Sequence, residues 1–207
     1  VPLDGLAAGA FTVAVENDLP TVVNDEAAEP VNALVHEDGL SLGVGGDDGD
    51  QSEGNREGLL TTSSDETDST AFGSLAGLVT VNDGADAPAG TTYSLLSDTS
   101  GLPTLYSNEV EVTYEVVDNQ LIASAGDTVV FTLTVETNGD WSFDLDAQLD
   151  HVTTNSDITT ALVTADGSVD SIDFSSMITV SVTDADGDTV PLDGLAAGAF
   201  TVAVEND

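Results

Sequence analysis

Cysteine is missing from the chain, and of its 207 residues only Arg56 carries a fixed positive charge. Without cysteine there are no disulfides, no thiolate nucleophile and no thiolate-ligated metal. One arginine cannot pair with 39 aspartates and glutamates, so salt bridges are no general stabilising device and the formal net charge is −38. Binding to phosphate needs lysine and arginine, which excludes nucleic acid as a partner and leaves an anionic membrane surface equally unattractive. His36 and His151 are the only histidines, too few for a histidine-rich metal set or a Ser-His-Asp arrangement that the spacing would reveal. No apolar run approaches the roughly 18 residues that span a bilayer. No signal peptide opens the chain, as expected of an excised fragment.

Charge of one sign and ordered alternation are what the chain does contain. Like charges about 5 Å apart in water repel by somewhat under ~1 kcal/mol per pair, and by more where solvent is excluded. Small cations must offset that repulsion, as a screening atmosphere or at specific sites. Strong acidity can also mean disorder, but 40% of the residues are hydrophobic and they recur with period two. A unit of this length buries about 70% of the surface its unfolded chain exposes, enough for a core. A large secreted domain without disulfides needs another staple, for which metal is the natural candidate.

Val110, Val112, Tyr114 and Val116 alternate with Glu109, Glu111, Thr113 and Glu115. Val129, Phe131, Leu133 and Val135 lead into Asn138-Gly139, after which Trp141, Phe143 and Leu145 resume the alternation. Asn-Gly between two such runs predicts a hairpin, since both residues tolerate positive φ. Further stripes are Ile178, Val180, Val182 and Phe200, Val202, Val204, with shorter candidates near 31–36, 70–81, 91–96, 119–124 and 160–164. About ten strands and no convincing amphipathic helix predict an all-β fold, an antiparallel β-sandwich.

Eighteen residues, VPLDGLAAGAFTVAVEND, occur twice: Val1–Asp18 returns word for word as Val190–Asp207. Identity at that distance marks a tandem array whose period is a whole domain. Residues 1–30 then read as a joint carrying a copy of the preceding module's last strand, with ENDLPTVVNDEAAEP (16–30) as a semi-rigid connection fixed by its prolines. Residues 31–207 read as the sandwich module, whether one sandwich or two smaller ones. Residues 39–70, rich in Gly, Ser and Asp, read as a long surface loop within it.

The sharpest local motif is Asp184-Ala-Asp186-Gly-Asp188, directly after the 177–183 stripe. Alternate residues of an extended segment project to one side, and Gly187 lets the chain bend so that three carboxylates converge. Calcium takes six to eight hard oxygens at ~2.3–2.6 Å, which such a set begins to supply. If 177–183 and 198–204 form the last hairpin, the loop between them lies beside the incoming joint, Asn17 and Asp18, and one ion cage spans two modules. The alternative is a solvated turn, since Asp and Gly are ordinary turn formers. An EF-hand is excluded, because positions six and twelve counted from Asp184 are Thr189 and Leu195. GVGGDDGDQ at 43–51 resembles one turn of a calcium-binding β-roll, a fold that needs several stacked copies. Glu37-Asp38 ends the first strand candidate, either as an acidic pair feeding the next joint or as an exposed turn. His151 reads as a turn histidine with local hydrogen bonds.

ENDLP at Glu16–Pro20, VHEDGL at Val35–Leu40, VSVTDADGDTV at Val180–Val190 and GDTVVFTLTVETNGDWSFDLDAQLDH at Gly126–His151 resemble the repeats of giant RTX adhesins exported by type I secretion. The resemblance covers most of 31–190 and is weakest in 39–70; the acidity and missing lysine look like a marine or halophilic Gram-negative bacterium. It implies an immunoglobulin-like β-sandwich that serves as a non-enzymatic extender, repeated between an outer-membrane anchor and distal adhesive domains at the cell surface. It also implies calcium at the joints, with Asn17, Asp18, Asp184, Asp186 and Asp188 as ligands and Glu16, Glu37 and Asp38 beside them. The implied partners are neighbouring identical repeats, with no direct membrane contact. Two other classes stay open on residue type. A carbohydrate- or ice-binding module would need an aromatic platform or a regular Thr array, whereas Trp141 and Tyr114 alternate as core residues and the threonines are scattered. An acidic glycoside hydrolase would need a carboxyl group in an apolar setting, and identical copies end to end argue against it.

Overall fold

A computed structural model describes residues 12–13, 19–37, 40, 69–82, 88–153 and 159–206. Among them lie sixteen strands, two short 3-10 turns and no α-helix. The count exceeds the expected ten because several strands have only two or three residues, too short for alternation to register.

The largest sheet has six strands, in spatial order β3 (Thr70–Ser74), β10 (Asp140–Leu145), β9 (Thr128–Val135), β8 (Gln120–Ala125), β7 (Val110–Val117) and β6 (Tyr106–Ser107). Period two does its work here: β10 buries Trp141, Phe143 and Leu145 and turns Asp140, Ser142 and Asp144 outward. The tight turns before and after β7 place Asn108, Glu109, Asp118 and Asn119 at positive φ, the mirror-image geometry that suits strand twist. The predicted β9–β10 hairpin is present, but only Gly139 takes positive φ, at 90°. Asn138 instead accepts the Asp140 N–H on Oδ1 at 3.0 Å, closing a longer turn.

Two three-stranded sheets follow. One orders β13 (Ile172–Asp173), β16 (Phe200–Glu205) and β2 (Val31–His36); the other orders β15 (Thr189–Asp193), β14 (Ile178–Asp184) and β5 (Pro88–Leu95). β1 (Thr21–Asn24) pairs with β4 (Val79–Asn82), and β11 (Leu162–Thr164) with β12 (Gly167–Val169). Pairing among the described strands is antiparallel except between β16 and β2, where Phe200 stands opposite Val31 and Glu205 opposite His36.

Buried side chains from these sheets form one connected cluster, from Val22 of β1 to Val204 of β16. Its spine is aromatic: Phe131 to Phe143 at 5.0 Å, Phe143 to Phe174 at 6.1 Å, Phe174 to Phe200 at 5.8 Å and Phe200 to Trp141 at 4.8 Å between ring centroids. Several sheets closing on a shared apolar core are consistent with a β-sandwich. The spine also fixes one backbone choice. Gly73 of β3 lies opposite Trp141, and a Cβ there would stand 2.9 Å from Trp141 Nε1 and 3.1 Å from two ring carbons. The ring is buried and rigid, so Gly73→Ala is expected to cost about 1–3 kcal/mol by overpacking. A urea midpoint unchanged from the parent chain would refute that.

Two expectations are corrected. The 177–183/198–204 hairpin does not form: β14 pairs with β5 on one side and β15 on the other, while β16 joins β13 and β2. Pro191 hides β15 in the sequence, but β15 is an edge strand, where proline removes no ladder bond. The segment read as a joint is partly fold. Within it, β1 buries Val22, Asp25 N–H bonds Leu78 O, and Asn24 Oδ1 accepts the Ala196 N–H at 3.1 Å. The 41–68 stretch of the predicted loop, with the Gly43–Gln51 run, lies outside the described residues.

Candidate metal centre

β14 alternates Ile178, Val180, Val182 and Asp184 inward, so the row that fills the core ends on a carboxylate. The partner strand slips at this point: Thr183 faces Gly90 but Asp184 faces Pro88, a bulge that leaves one extra residue in β5. The chain then reverses over four residues into β15. Gly187 sits at φ 100°, where a side chain would be strained, and brings the backbone round. Asp184 Oδ1 accepts the N–H groups of Gly187 at 3.0 Å and Asp188 at 2.8 Å. A hydrogen bond donated by the Asp186 carboxyl, with these backbone donors, holds Asp184 below the usual carboxylate range against the opposing effect of desolvation. It is therefore ionised at neutral pH.

Asp184 is only 1% exposed, yet its second oxygen, Oδ2, has no hydrogen-bond partner. A buried ionised oxygen left unpaired is costly unless a cation meets it. Carboxylate oxygens of Asp184, Asp186 and Asp188 lie within 4.8 Å of one another, so the cluster could hold a metal ion. All three donors are hard oxygens, the set that suits calcium or magnesium rather than a softer metal. Of the predicted ligands, the fold thus brings together Asp184, Asp186 and Asp188. Glu16, Asn17, Asp18 and Asp38 lie outside the described residues.

Glu37 is not the exposed end of an acidic turn. It is 1% exposed, its Oε1 accepts the Leu149 N–H at 2.7 Å, and His151 Nε2 lies 3.2 Å from the same oxygen. Alternation breaks at the end of β2, so that Val35, His36 and Glu37 are buried in succession. That break is what carries Glu37 inward to pin the 148–151 segment. His151 accordingly makes a long-range contact rather than a local one, and His36 Nδ1 stands 3.2 Å from Glu205 Oε1. Both histidines of the chain are engaged with glutamates, a pairing that no sequence spacing signals.

Trp141 and Tyr93 are each 4% exposed, and Tyr114 donates its hydroxyl to Pro103 O at 2.8 Å, so these rings belong to the core side. Partial burial pushes the Asp146 carboxyl up, and the charge of Asp144 adds to it.

The chain belongs to the family described as a domain of unknown function (DUF5801), whose model matches residues 21–192. No curated protein and no solved structure matches it.

Proposed function

We propose that the chain is a calcium-loaded, non-enzymatic extender module of a long bacterial surface adhesin, an immunoglobulin-like β-sandwich repeated in tandem to hold distal adhesive domains away from the cell. The observation that carries this is Asp184, a buried ionised carboxylate with one unpartnered oxygen, clustered with Asp186 and Asp188 in a chain with a single arginine. The duplicated 18 residues supply the tandem arrangement. β1 packs against β14 and β15, which brings the chain entering at Leu19 toward the strands that carry the acidic turn. Asn17, Asp18 and Glu16 of the joint would complete the cage from the neighbouring module.

In this mechanism calcium has two effects. It neutralises carboxylates that would otherwise repel, and it fixes the angle between successive modules. Extracellular sites of this kind bind at about 10⁻⁴–10⁻³ M, so modules stay ion-free and loosely joined where calcium is scarce and stiffen once exported. Small-angle scattering of a two-period chain tests the joint directly. The maximum dimension is expected to lengthen and sharpen with millimolar calcium and to relax in chelator; a dimension indifferent to calcium would sink the stiffening mechanism.

A further inference from the structure

The six-stranded sheet carries an uncharged row on its outer face. Cross-strand register places Phe72 opposite Ser142, Ser142 opposite Thr134, Thr134 opposite Gln120, and Gln120 opposite Val117. Directly paired residues share a face, and these belong to the alternate set that points away from the core, whose members on β9 and β10 flank buried Val135, Leu133, Trp141 and Phe143. The row therefore runs outward across five strands, about 19 Å at a strand spacing of about 4.8 Å. It holds no charge, in a chain of net charge −38.

Its members are chemically complementary to one class of ligand. Phe72 is 84% exposed and Val117 is 42% exposed, so an aromatic face and an aliphatic group stand open at the two ends. Hydroxyls and an amide lie between them, already aligned by a 3.0 Å hydrogen bond from Gln120 Nε2 to Thr134 Oγ1. Asp144, two residues further along β10 and on the same face, sits opposite Thr132 at the margin and adds a strong acceptor. An acidic ligand would meet the surrounding carboxylates and be repelled. A cation would prefer those carboxylates to a row that has none. A protein partner anchored on a continuous apolar patch would find two apolar residues separated by three polar ones. A pyranose has an apolar C–H face that stacks on an aromatic ring and a rim of hydroxyls that exchange hydrogen bonds with hydroxyl, amide and carboxylate groups.

We propose that this row is a binding site for a neutral oligosaccharide, with Phe72 as the stacking platform and Ser142, Thr134 and Gln120 as the hydrogen-bonding floor. The site is independent of the acidic turn and does not require an ion there. Affinity electrophoresis of the full chain through gels containing a neutral polysaccharide (dextran, galactomannan or laminarin) or alginate tests it, alongside Phe72→Ala and Phe72→Tyr. At least one neutral polysaccharide is expected to retard the parent chain and the Tyr variant, with affinity falling roughly tenfold or more in Phe72→Ala as the stacking platform is lost. Because Phe72 is open to solvent, the Ala variant should fold as the parent does, which its melting curve verifies. Retardation by none of the neutral polymers, equal retardation in Phe72→Ala, or stronger retardation by alginate would each overturn the proposal. So would a concentration-dependent dimer in sedimentation that Phe72→Ala abolishes, since the face would then belong to a second copy.

Discussion

Adding calcium to about 10 mM is expected to raise the melting temperature of the metal-free chain by roughly 3–11 °C, and Asp184→Asn is expected to abolish the rise. A ligand that binds only the folded state stabilises it by RT ln(1 + [L]/Kd). With a dissociation constant of 10⁻⁴–10⁻³ M the gain is about 1.4–2.7 kcal/mol per site, and a domain of 150–250 residues shifts by about 2–4 °C per kcal/mol. Asparagine keeps the shape of the side chain, and its carbonyl can still accept from the Gly187 and Asp188 N–H groups. What it removes is the charge on the buried oxygen that has no partner. The metal-free variant should therefore melt close to the metal-free parent while losing the response. A calcium shift that survives intact in Asp184→Asn would place the ion elsewhere, and no shift in the parent would remove calcium from the account altogether. Magnesium is the informative control, because it dehydrates reluctantly and prefers a rigid octahedral shell. At equal concentration its effect should be smaller.

How far the sequence foretold this arrangement depends on the range of the interaction. Strands with five or more alternating residues were legible, because period two is a local property: the Val110, Val129, Trp141, Ile178 and Phe200 stripes all became strands. Pairing was legible only where a turn enforced it, as at Asn138-Gly139. Where partners are distant in the chain, alternation says which face is buried but not against what. Alternation therefore cannot tell that β16 runs parallel to β2 instead of closing a hairpin with β14. The acidic turn was readable because its three carboxylates are separated by single residues. The burial of Asp184 that gives the turn its electrostatic tension was readable in principle, since it continues the Ile178–Val180–Val182 row by one more step. The burial of Glu37 is not legible, for the opposite reason. Its Glu-Asp-Gly context resembles an exposed turn, and its partners Leu149 and His151 are more than a hundred residues away. The outward row on the six-stranded sheet is a property of register, and register across five strands cannot be read from threonines that look scattered along the chain.

Phe131→Ala should be the most damaging single substitution considered, at about 3–5 kcal/mol. Phe131 is fully buried at the middle of β9, and its ring meets Tyr114 at 6.3 Å, Phe143 at 5.0 Å and Phe174 at 6.2 Å. The first two contacts lie within the six-stranded sheet, whereas Phe174 leads through Phe200 into the β13–β16–β2 sheet. Truncation therefore opens a cavity at the seam between sheets, where the main chain on either side is held by its own ladders and cannot collapse into the gap. The Trp141–Phe200 and Phe143–Phe174 contacts still cross this seam, so the loss is that of one packed ring and not of the whole spine. At a urea dependence of about 2 kcal/mol per molar, the unfolding midpoint should fall by roughly 2 M. Phe72→Ala provides the matched control, the same chemistry at a site 84% exposed, and should shift the midpoint by less than about 0.3 M. Comparable shifts for the two variants would mean that Phe131 is not at the seam, and that the sheets do not share the core through the aromatic spine. If the contrast holds, the aromatic spine, and not the exposed face of the sheet, sets the stability of the fold.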